Sequence, residues 1–302
     1  MRIGILTFHR AKNYGAVLQC YALVTYLRQL NHEVNVIDYY PDYFKEQDRV
    51  IPLSKFIKSN LKGKLFIIAS LIVEIIPILK RRRAFNNFIK ILPLRSYNSK
   101  LVLYSSDYDL IFVGSDQVWN KHITNGEDKQ YTGNFNHSNC ILASYAASTV
   151  LNNRGEDEYY RQLIRRFDFV SVREKNLNDY FNLLIPEKSI CVCDPVLLLS
   201  KQQWEQLAKL PKERNYILIY TVPEDPRINK YAEMIAKRTN CKVIELVAKV
   251  SPFRKGDCRQ SVSPQEFVGY FLSAQYIVTT SFHGTAFSIK LEKPFSTLRL
   301  GT

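Results

Sequence analysis

The fold of this chain is best judged from residues 275–289, which read QYIVTTSFHGTAFSI. Tyr276 to Thr279 is a short run of apolar and β-branched residues, which is typical of a buried strand. Apolar residues return at helical spacing from Thr285 onward, and a polar turn, residues 280–284, separates the two patterns. The segment therefore predicts a buried strand that leads directly into a helix, as in α/β proteins.

The polar turn has the chemistry of an anion site. The first N–H groups of a helix lack partners within the helix, and their partial positive charge attracts anions. Gly284 would let the backbone approach a ligand, and His283 could donate to an oxyanion or carry a proton near neutral pH. The alternative is that Ser281 only caps the helix and His283 is a loop histidine with satisfied hydrogen bonds. The sequence of this turn leaves both interpretations open.

Composition predicts a two-domain protein with an anionic partner. A length of 302 residues is long for a single core, and the formal net charge is +14. Residues 55–100 hold 11 Lys and Arg against one acid, Glu74, so they carry +10 of this charge. Since basic and aromatic residues form no stacking motif, we do not expect nucleic-acid binding.

The six cysteines favour a reduced, cytoplasmic protein. They form no CxxC pair, so we expect thiols packed in the core rather than a disulfide framework or a metal site. Met1 leads directly into a predicted strand, and we therefore expect no signal peptide. The cysteines are Cys20, Cys140, Cys191, Cys193, Cys241 and Cys258.

The first part of the chain alternates strands and helices. Strands are predicted at 2–7, 33–39, 109–114, 141–147, 169–172 and 189–193, with helices at 16–30, 157–166 and 174–184. Asn13, Tyr14 and Gly15 lie just before the first helix, where α/β folds bind ligands. A GxGxxG dinucleotide motif is absent there.

Polar residues follow three of these strands. Asp116, Trp119 and Asn120 together predict a sugar-contacting corner, and Ser148 closes the next strand. The alternative for the corner is a helix cap with Trp119 in the core. Arg173 leaves the end of another strand, where it could bind an anion through two hydrogen bonds or form an ion pair with its neighbour Glu174.

A second alternation occupies residues 216–298, so we predict domains at 1–200 and 210–302. Its strands are predicted at 216–221, 242–246, 276–279 and 295–298, and its helices at 226–239, 264–272 and 283–291. The fold class is therefore α/β with two Rossmann-like domains. Because a doubly wound domain normally covers its last strand with a helix, we expect the second domain to be truncated.

Residues 51–95 interrupt the first domain as a helical, basic insertion. Residues 65–79 are mostly apolar but too few to cross a membrane, and Lys80 to Arg83 follow as a basic cluster. The insertion either packs on the core or lies in a membrane interface, with the cluster on anionic headgroups. The predicted apolar face comprises Phe66, Ile67, Leu71, Ile75 and Leu79.

Read together, these motifs resemble the polysaccharide pyruvyl transferases along nearly the whole chain. The most specific is GSDQVWN at 114–120. The others are Thr7-Phe8-His9, Asn13 to Ala16 with Gln19, Tyr145 to Ser148, Ser171 to Glu174, Asp194-Pro195 and Ser281 to Gly284. The resemblance implies two Rossmann-like domains that face a cleft in a GT-B-like arrangement, with the helical insertion in the first.

The resemblance also implies a reaction in envelope or exopolysaccharide biosynthesis. Phosphoenolpyruvate would condense with two hydroxyls of a sugar or lipid-linked oligosaccharide, without a cofactor or metal. His283 would be the acid, Asp116 the base and Arg173 an anion ligand facing His283 across the cleft. The other candidate substrate-binding residues are Ser281, Gly284, Asn13, Tyr14, Gly15, Trp119, Asn120 and Ser148.

One position departs from the family pattern. Many relatives place an arginine two residues before the histidine, and Ser281 stands there in this chain. Lys12, Arg299 or the helix N-terminus would then meet the substrate's charge. Two alternatives stay open: a GT-B-like glycosyltransferase that uses a nucleotide sugar, and an inactive scaffold at the membrane surface of a polysaccharide locus.

Overall fold

The computed structural model describes residues 1–47, 57, 59–96, 107–135, 140–151, 155–222, 225–248, 250 and 256–298. The chain divides into two compact units. The first unit contains Met1–Ala11, Ala16–Phe44 and Ile89–Leu199. The second contains Lys12–Gly15, Lys45–Phe88 and Ser200–Thr302.

The first unit is built on a parallel sheet with the strand order β3-β2-β1-β4-β5. Two further parallel strands, β6 and β7, pair with each other, and a bridge between Ala147 and Val172 links them to the β5 edge. This order is that of a Rossmann-like half. The strands are β1 Arg2–Leu6, β2 Glu33–Ile37, β3 Leu94–Arg95, β4 Leu110–Val113, β5 Ile141–Ser144, β6 Val170–Val172 and β7 Ser189–Cys191.

Both faces of this sheet are apolar. Successive side chains of a strand point to opposite faces, so Ile5 and Leu6 of β1 pack into two different clusters. Ile5 lies with Leu23 and Val36, and Leu6 lies with Val113. A sheet covered on both faces explains why its strands are continuous apolar runs in the sequence.

The second unit repeats this topology with a parallel sheet of order β10-β9-β8-β11-β12. Its central strand, β8, is buried along its whole length. The strands are β8 Tyr216–Tyr220, β9 Lys242–Leu246, β10 Cys258–Arg259, β11 Tyr276–Thr279 and β12 Phe295–Thr297. The unit is therefore a second Rossmann-like half.

The described helices are, in chain order, α1 Tyr14–Gln29, α2 Asp42–Gln47, α3 Leu61–Ile89, α4 Asp157–Arg165, α5 Lys175–Leu184, α6 Lys201–Leu207, α7 Pro226–Thr239, α8 Pro264–Ser273 and α9 Phe282–Lys290. Local sequence sets several of their starts. Ser263 and Glu266 form a capping box at α8, and Asp225 caps α7 by accepting from the N–H of Arg227.

Of the predicted insertion, residues 61–89 form one long helix, α3, which continues through Pro77, while residues 51–56 and 58 lie outside the described part of the chain. We predicted the insertion in the first domain, but residues 45–88 group with the second unit. The physical reason is Arg81, which is buried and donates to the carbonyls of Val247 and Ala248. Within the described ranges, the structure has no helix with the length and apolar character that a membrane span requires.

The elements predicted from periodicity are present, whereas the short strands β3 and β10 and the helix α2 were not predicted. The expectation of core-packed thiols holds for Cys20, which is buried, and is wrong for Cys191 and Cys193, which are exposed. Burial raises the pKa of the Cys20 thiol. All six cysteines are free thiols.

Candidate functional site

The turn between β11 and α9 is organised by its own side chains. The Thr279 hydroxyl donates to the Tyr220 carbonyl at 2.6 Å and accepts from the Ser281 N–H at 3.0 Å. The Ser281 hydroxyl accepts from the Gly284 N–H at 3.4 Å and so caps α9. A Cβ on Gly284 would lie 2.1 Å from the Thr279 hydroxyl oxygen. The structure thus explains Gly284 by its close packing on Thr279. It explains Ser281 as a helix cap, which was one of the two interpretations that the sequence left open.

His283 lies in the first turn of α9 and is 7% exposed. A Cβ on Gly15 would lie 2.1 Å from His283 Nδ1 and 2.3 Å from its Cγ. The backbone at Gly15 therefore presses directly on the imidazole ring, and only a residue without a side chain fits there. This contact brings together two motifs that are far apart in the sequence, and both lie in the second unit. We predicted Gly15 as a ligand contact, and its observed neighbour is the candidate acid.

Tyr14 anchors the turn that carries Gly15. Its ring is fully buried and stacks on Phe267, with 4.5 Å between ring centroids and 16° between planes. Its hydroxyl donates to the Val262 carbonyl at 3.0 Å and accepts from Arg81 at 2.8 Å. Burial raises the pKa of Tyr14, although the charge of Arg81 opposes this. The Tyr14 side chain is enclosed, and a contact of this residue with substrate stays a prediction; Asn13 beside it is exposed.

Arg81 lies in the basic cluster of residues 80–83 but separates from it in the structure, since it is only 5% exposed. Its guanidinium packs on the rings of Tyr14 and Phe85, at 4.7 and 4.9 Å from their centroids. Its hydrogen bonds reach five oxygens: the Tyr14 hydroxyl (2.8 Å) and the carbonyls of Val247 (3.0 Å), Ala248 (2.9 Å), Lys12 (3.1 Å) and Gln260 (3.4 Å). Arg81 thereby ties the turn before α1 to the segments that follow β9 and β10.

A second group of candidate residues lies in the first unit around Arg173. Its guanidinium donates to Glu174 at 2.8 Å and to Asp194 at 3.0 Å, and lies 3.5 Å from Asp116. The side chain is 4% exposed. Burial lowers the pKa of Arg173, but the charges of the three carboxylates outweigh burial and raise it. The structure therefore shows the ion-pair alternative for Arg173, and a role as an anion ligand stays a prediction.

Serine hydroxyls hold the same carboxylates in place. Ser148 donates to Glu174 at 2.8 Å, and Ser115 donates to Asp194 at 3.2 Å. Asp116 has a backbone φ of 80° and accepts from the Gln117 N–H at 2.9 Å. Three carboxylates facing one guanidinium leave this cluster with a formal charge of −2 when all are ionised.

Trp119 and Asn120, the predicted sugar-contacting residues, are both buried. Trp119 is buried among Phe167 and Phe181, and its indole N–H donates to the Tyr131 carbonyl at 2.9 Å. Asn120 is buried and its amide donates to Gln117. The structure thus shows the alternative of a core position for Trp119, and sugar contact by either residue stays a prediction.

A buried ionic group at the ends of β1 and β2 was not predicted. His9 is fully buried, with Nδ1 3.1 Å from the Thr7 carbonyl and Nε2 3.0 Å from Asp38. Both partners are hydrogen-bond acceptors, so each ring nitrogen of His9 faces an acceptor. Burial raises the pKa of Asp38, but hydrogen bonds from Arg10 and His9 outweigh it and lower that pKa. The Thr7-Phe8-His9 motif was the available signal.

Each unit thus gathers part of the predicted set. The second holds Tyr14, Gly15 and His283 together, and the first holds Asp116 with Arg173. The predicted pairing of Arg173 with His283 stays a prediction. Among the residues that the structure describes, no three His, Cys, Asp or Glu side chains are placed to hold a metal ion.

Comparisons with known proteins give a family from the sequence and a fold from solved structures. A sequence model described as polysaccharide pyruvyl transferase matches residues 13–299. No curated protein sequence matches the chain. A protein from Listeria monocytogenes assigned to the UDP-N-acetylglucosamine 2-epimerases superposes with a TM-score of 0.53 at 9% identity, covering 100% of this chain and 80% of that one. The UDP-GlcNAc 2-epimerase from Neisseria meningitidis, bound to UDP-GlcNAc, gives 0.50 at 14% identity, covering 100% and 83%. These likenesses show the predicted GT-B-like fold.

Proposed function

Because the chain belongs to the polysaccharide pyruvyl transferase family, we propose that it transfers the pyruvyl group of phosphoenolpyruvate to two hydroxyls of a sugar. The acceptor is a sugar or a lipid-linked oligosaccharide of envelope or exopolysaccharide biosynthesis. The product is a cyclic pyruvate ketal, and inorganic phosphate is released. The observation that supports this proposal most directly is the contact between Gly15 and the His283 ring, which gives the candidate acid one fixed position.

The reaction needs an acid and a base. C3 of phosphoenolpyruvate takes up a proton and becomes a methyl group while positive charge develops at C2. One sugar hydroxyl adds to C2, the bond from C2 to the phosphate oxygen breaks, and a second hydroxyl closes the ketal. The hydroxyls release two protons: one balances the proton gained at C3, and the other leaves with phosphate.

His283 is the proposed acid. Its ring is largely shielded from solvent and is held by Gly15, so little orientational freedom is lost when it delivers a proton. It lies at the N-terminus of α9, where the helix dipole favours the negative charge of a phosphate or carboxylate. General acid catalysis of this kind typically contributes about 10²–10⁴-fold to a rate.

Asp116 is the proposed base for a sugar hydroxyl. Its side chain is 16% exposed, while Asp194 beside it is fully buried, so Asp116 is the more accessible of these two carboxylates. Arg173 then acts by holding Asp116 in position, since its own charge is already matched by carboxylates.

Because Ser281 stands where many relatives have an arginine, another group must bind part of the negative charge of phosphoenolpyruvate. Lys12 adjoins the Asn13–Gly15 turn in the second unit and donates to Asn86 at 3.1 Å, and we propose it together with the α9 N-terminus. Arg299, the other candidate from the sequence, lies outside the described residues.

Phosphate release tests the proposal. Wild-type protein is incubated with phosphoenolpyruvate and a panel of sugar acceptors, and His283→Gln and Asp116→Asn are measured beside Asp179→Asn, an exposed surface control. We expect acceptor-dependent release that falls at least about 100-fold in the first two variants and is unchanged in the control. Turnover of UDP-sugars without use of phosphoenolpyruvate would instead support a glycosyltransferase. No turnover of either donor would support the inactive scaffold.

A further inference from the structure

The long helix α3 carries an apolar surface that faces solvent. At 3.6 residues per turn, five of its exposed residues fall within an arc of about 80°. We call this surface the α3 stripe: Leu61 (75% exposed), Leu65 (59%), Ile68 (46%), Ile76 (61%) and Leu79 (51%). Exposed apolar side chains are ordinary when scattered, but a row along one side of one helix indicates a contact surface.

The α3 stripe differs from the apolar face that the sequence predicted. Phe66 and Leu79 are exposed as expected, but Ile67 and Ile75 are half-buried, and the Leu71 side chain lies outside what the structure describes. The predicted basic cluster also separates, because Arg81 turns inward. The exposed surface is therefore set by how α3 packs on the second unit.

Basic residues border the α3 stripe and continue it. Arg83 falls in the same arc of the helix, and Lys62 and Lys80 flank the arc within about 40° of its edge. All three are exposed, as is Lys90 just beyond the helix end. The acid of this segment, Glu74, is half-buried and projects from the opposite side of α3. The surface is thus apolar and cationic without a facing acid of its own.

We propose that the α3 stripe docks on an anionic lipid surface, with its apolar residues in the headgroup region and its basic residues on the headgroups. An amphipathic helix that lies in an interface has this combination of an apolar strip and flanking Lys and Arg. The binding is peripheral and reversible. The inference does not depend on the proposed reaction, since no residue of the α3 stripe has a role in that reaction.

Charge favours lipid over a second copy of the chain as the occupant. Packing two α3 stripes together would bring Lys62, Lys80 and Arg83 of both copies to one interface. Glu74 is turned away from that interface, so these charges would lack an acidic partner from α3. An anionic headgroup supplies the missing negative charge and attracts each nearby Lys or Arg by about fivefold in binding constant.

Co-sedimentation with vesicles tests the proposal on the full chain. We expect binding to phosphatidylcholine vesicles that contain phosphatidylglycerol, and little binding to pure phosphatidylcholine. Binding should weaken as salt shortens the Debye length from about 10 Å at 0.1 M to about 3 Å at 1 M. Lys80→Gln with Arg83→Gln should lower the partition coefficient roughly 25-fold. Lys230→Gln with Lys237→Gln, two exposed lysines of α7, removes the same charge elsewhere and should have little effect.

Two double leucine variants test the apolar part of the α3 stripe. Leu65→Gln with Leu79→Gln should lower vesicle binding, and Leu183→Gln with Leu210→Gln, which replaces two leucines that are more exposed and lie outside α3, should not. The proposal is overturned if wild type fails to co-sediment at low salt or if both kinds of vesicle bind it equally. It is also overturned if the double lysine variant of α7 loses as much vesicle binding as Lys80→Gln with Arg83→Gln. It is also overturned if the protein sediments as a dimer that Leu65→Gln with Leu79→Gln dissociates, because a second copy is then the occupant.

Discussion

Replacing Arg81 by lysine should destabilise the second unit although it keeps the charge. Arg81 donates to five oxygens, four of them at 3.1 Å or less. A lysine ammonium has three donors and no planar group to lie over the rings of Tyr14 and Phe85. At least one short and one long bond are therefore lost, and buried oxygens without donors cost about 1–3 kcal/mol each. For two such oxygens, we expect about 2–6 kcal/mol less free energy of unfolding.

Urea denaturation followed by fluorescence measures this loss. The chain has two tryptophans, Trp119 in the first unit and Trp204 in the second. In a Trp119→Phe background, Trp204 reports on the second unit alone. Arg83→Lys is the matched control, because Arg83 is exposed on the same helix and should change stability by no more than about 0.5 kcal/mol. Equal effects of the two substitutions would refute the assignment of Arg81 as a buried tie between segments.

Two further predictions concern buried contacts. Gly15→Ala should displace the His283 ring, lower phosphate release about 100-fold and reduce stability. The stability loss should vanish in a His283→Ala background, where the ring is absent. A loss of stability that persists there would contradict the contact between Gly15 and His283. Asp38→Asn should destabilise the protein at pH 7, because Arg10 and His9 lower the pKa of Asp38 below its unfolded value. That deficit should shrink as pH falls below about 4, because Asp38 of the unfolded wild-type chain takes up a proton there while the folded chain keeps it ionised. A deficit that is constant with pH, or one matched by exposed Asp179→Asn, would contradict this reasoning.

Much of the fold was readable because both sheets are parallel and buried. Such strands are short apolar runs with turn residues at each end, so β8, β9 and β11 were predicted nearly at their observed bounds. The edge strands β3 and β10 have two residues each, too few to show a pattern. The unit to which α3 belongs depends on tertiary contacts of Arg81, which periodicity does not encode.

The candidate site was harder to read, since a residue type does not reveal where its side chain points. Trp119 follows a strand end, as a sugar-stacking residue would, yet it completes the core of the first unit. For Arg81 a signal existed: Phe85 and Phe88 follow it at four and seven residues, and both are buried on the same side of α3. The contact of Gly15 with His283 joins distant segments and had no local signal beyond the motifs themselves.

In the proposed reaction, the chain protonates C3 of phosphoenolpyruvate and forms a sugar ketal. Incubation of wild-type protein with [3-¹³C]phosphoenolpyruvate and an acceptor sugar in D₂O, followed by NMR and mass spectrometry, tests it directly. The proposed reaction yields a labelled methyl group that contains one deuterium and is bound to the sugar, with one phosphate released per ketal. His283→Gln should not form this product. A sugar product that keeps the =CH₂ group, or phosphate release without any ketal, would contradict the proposed mechanism.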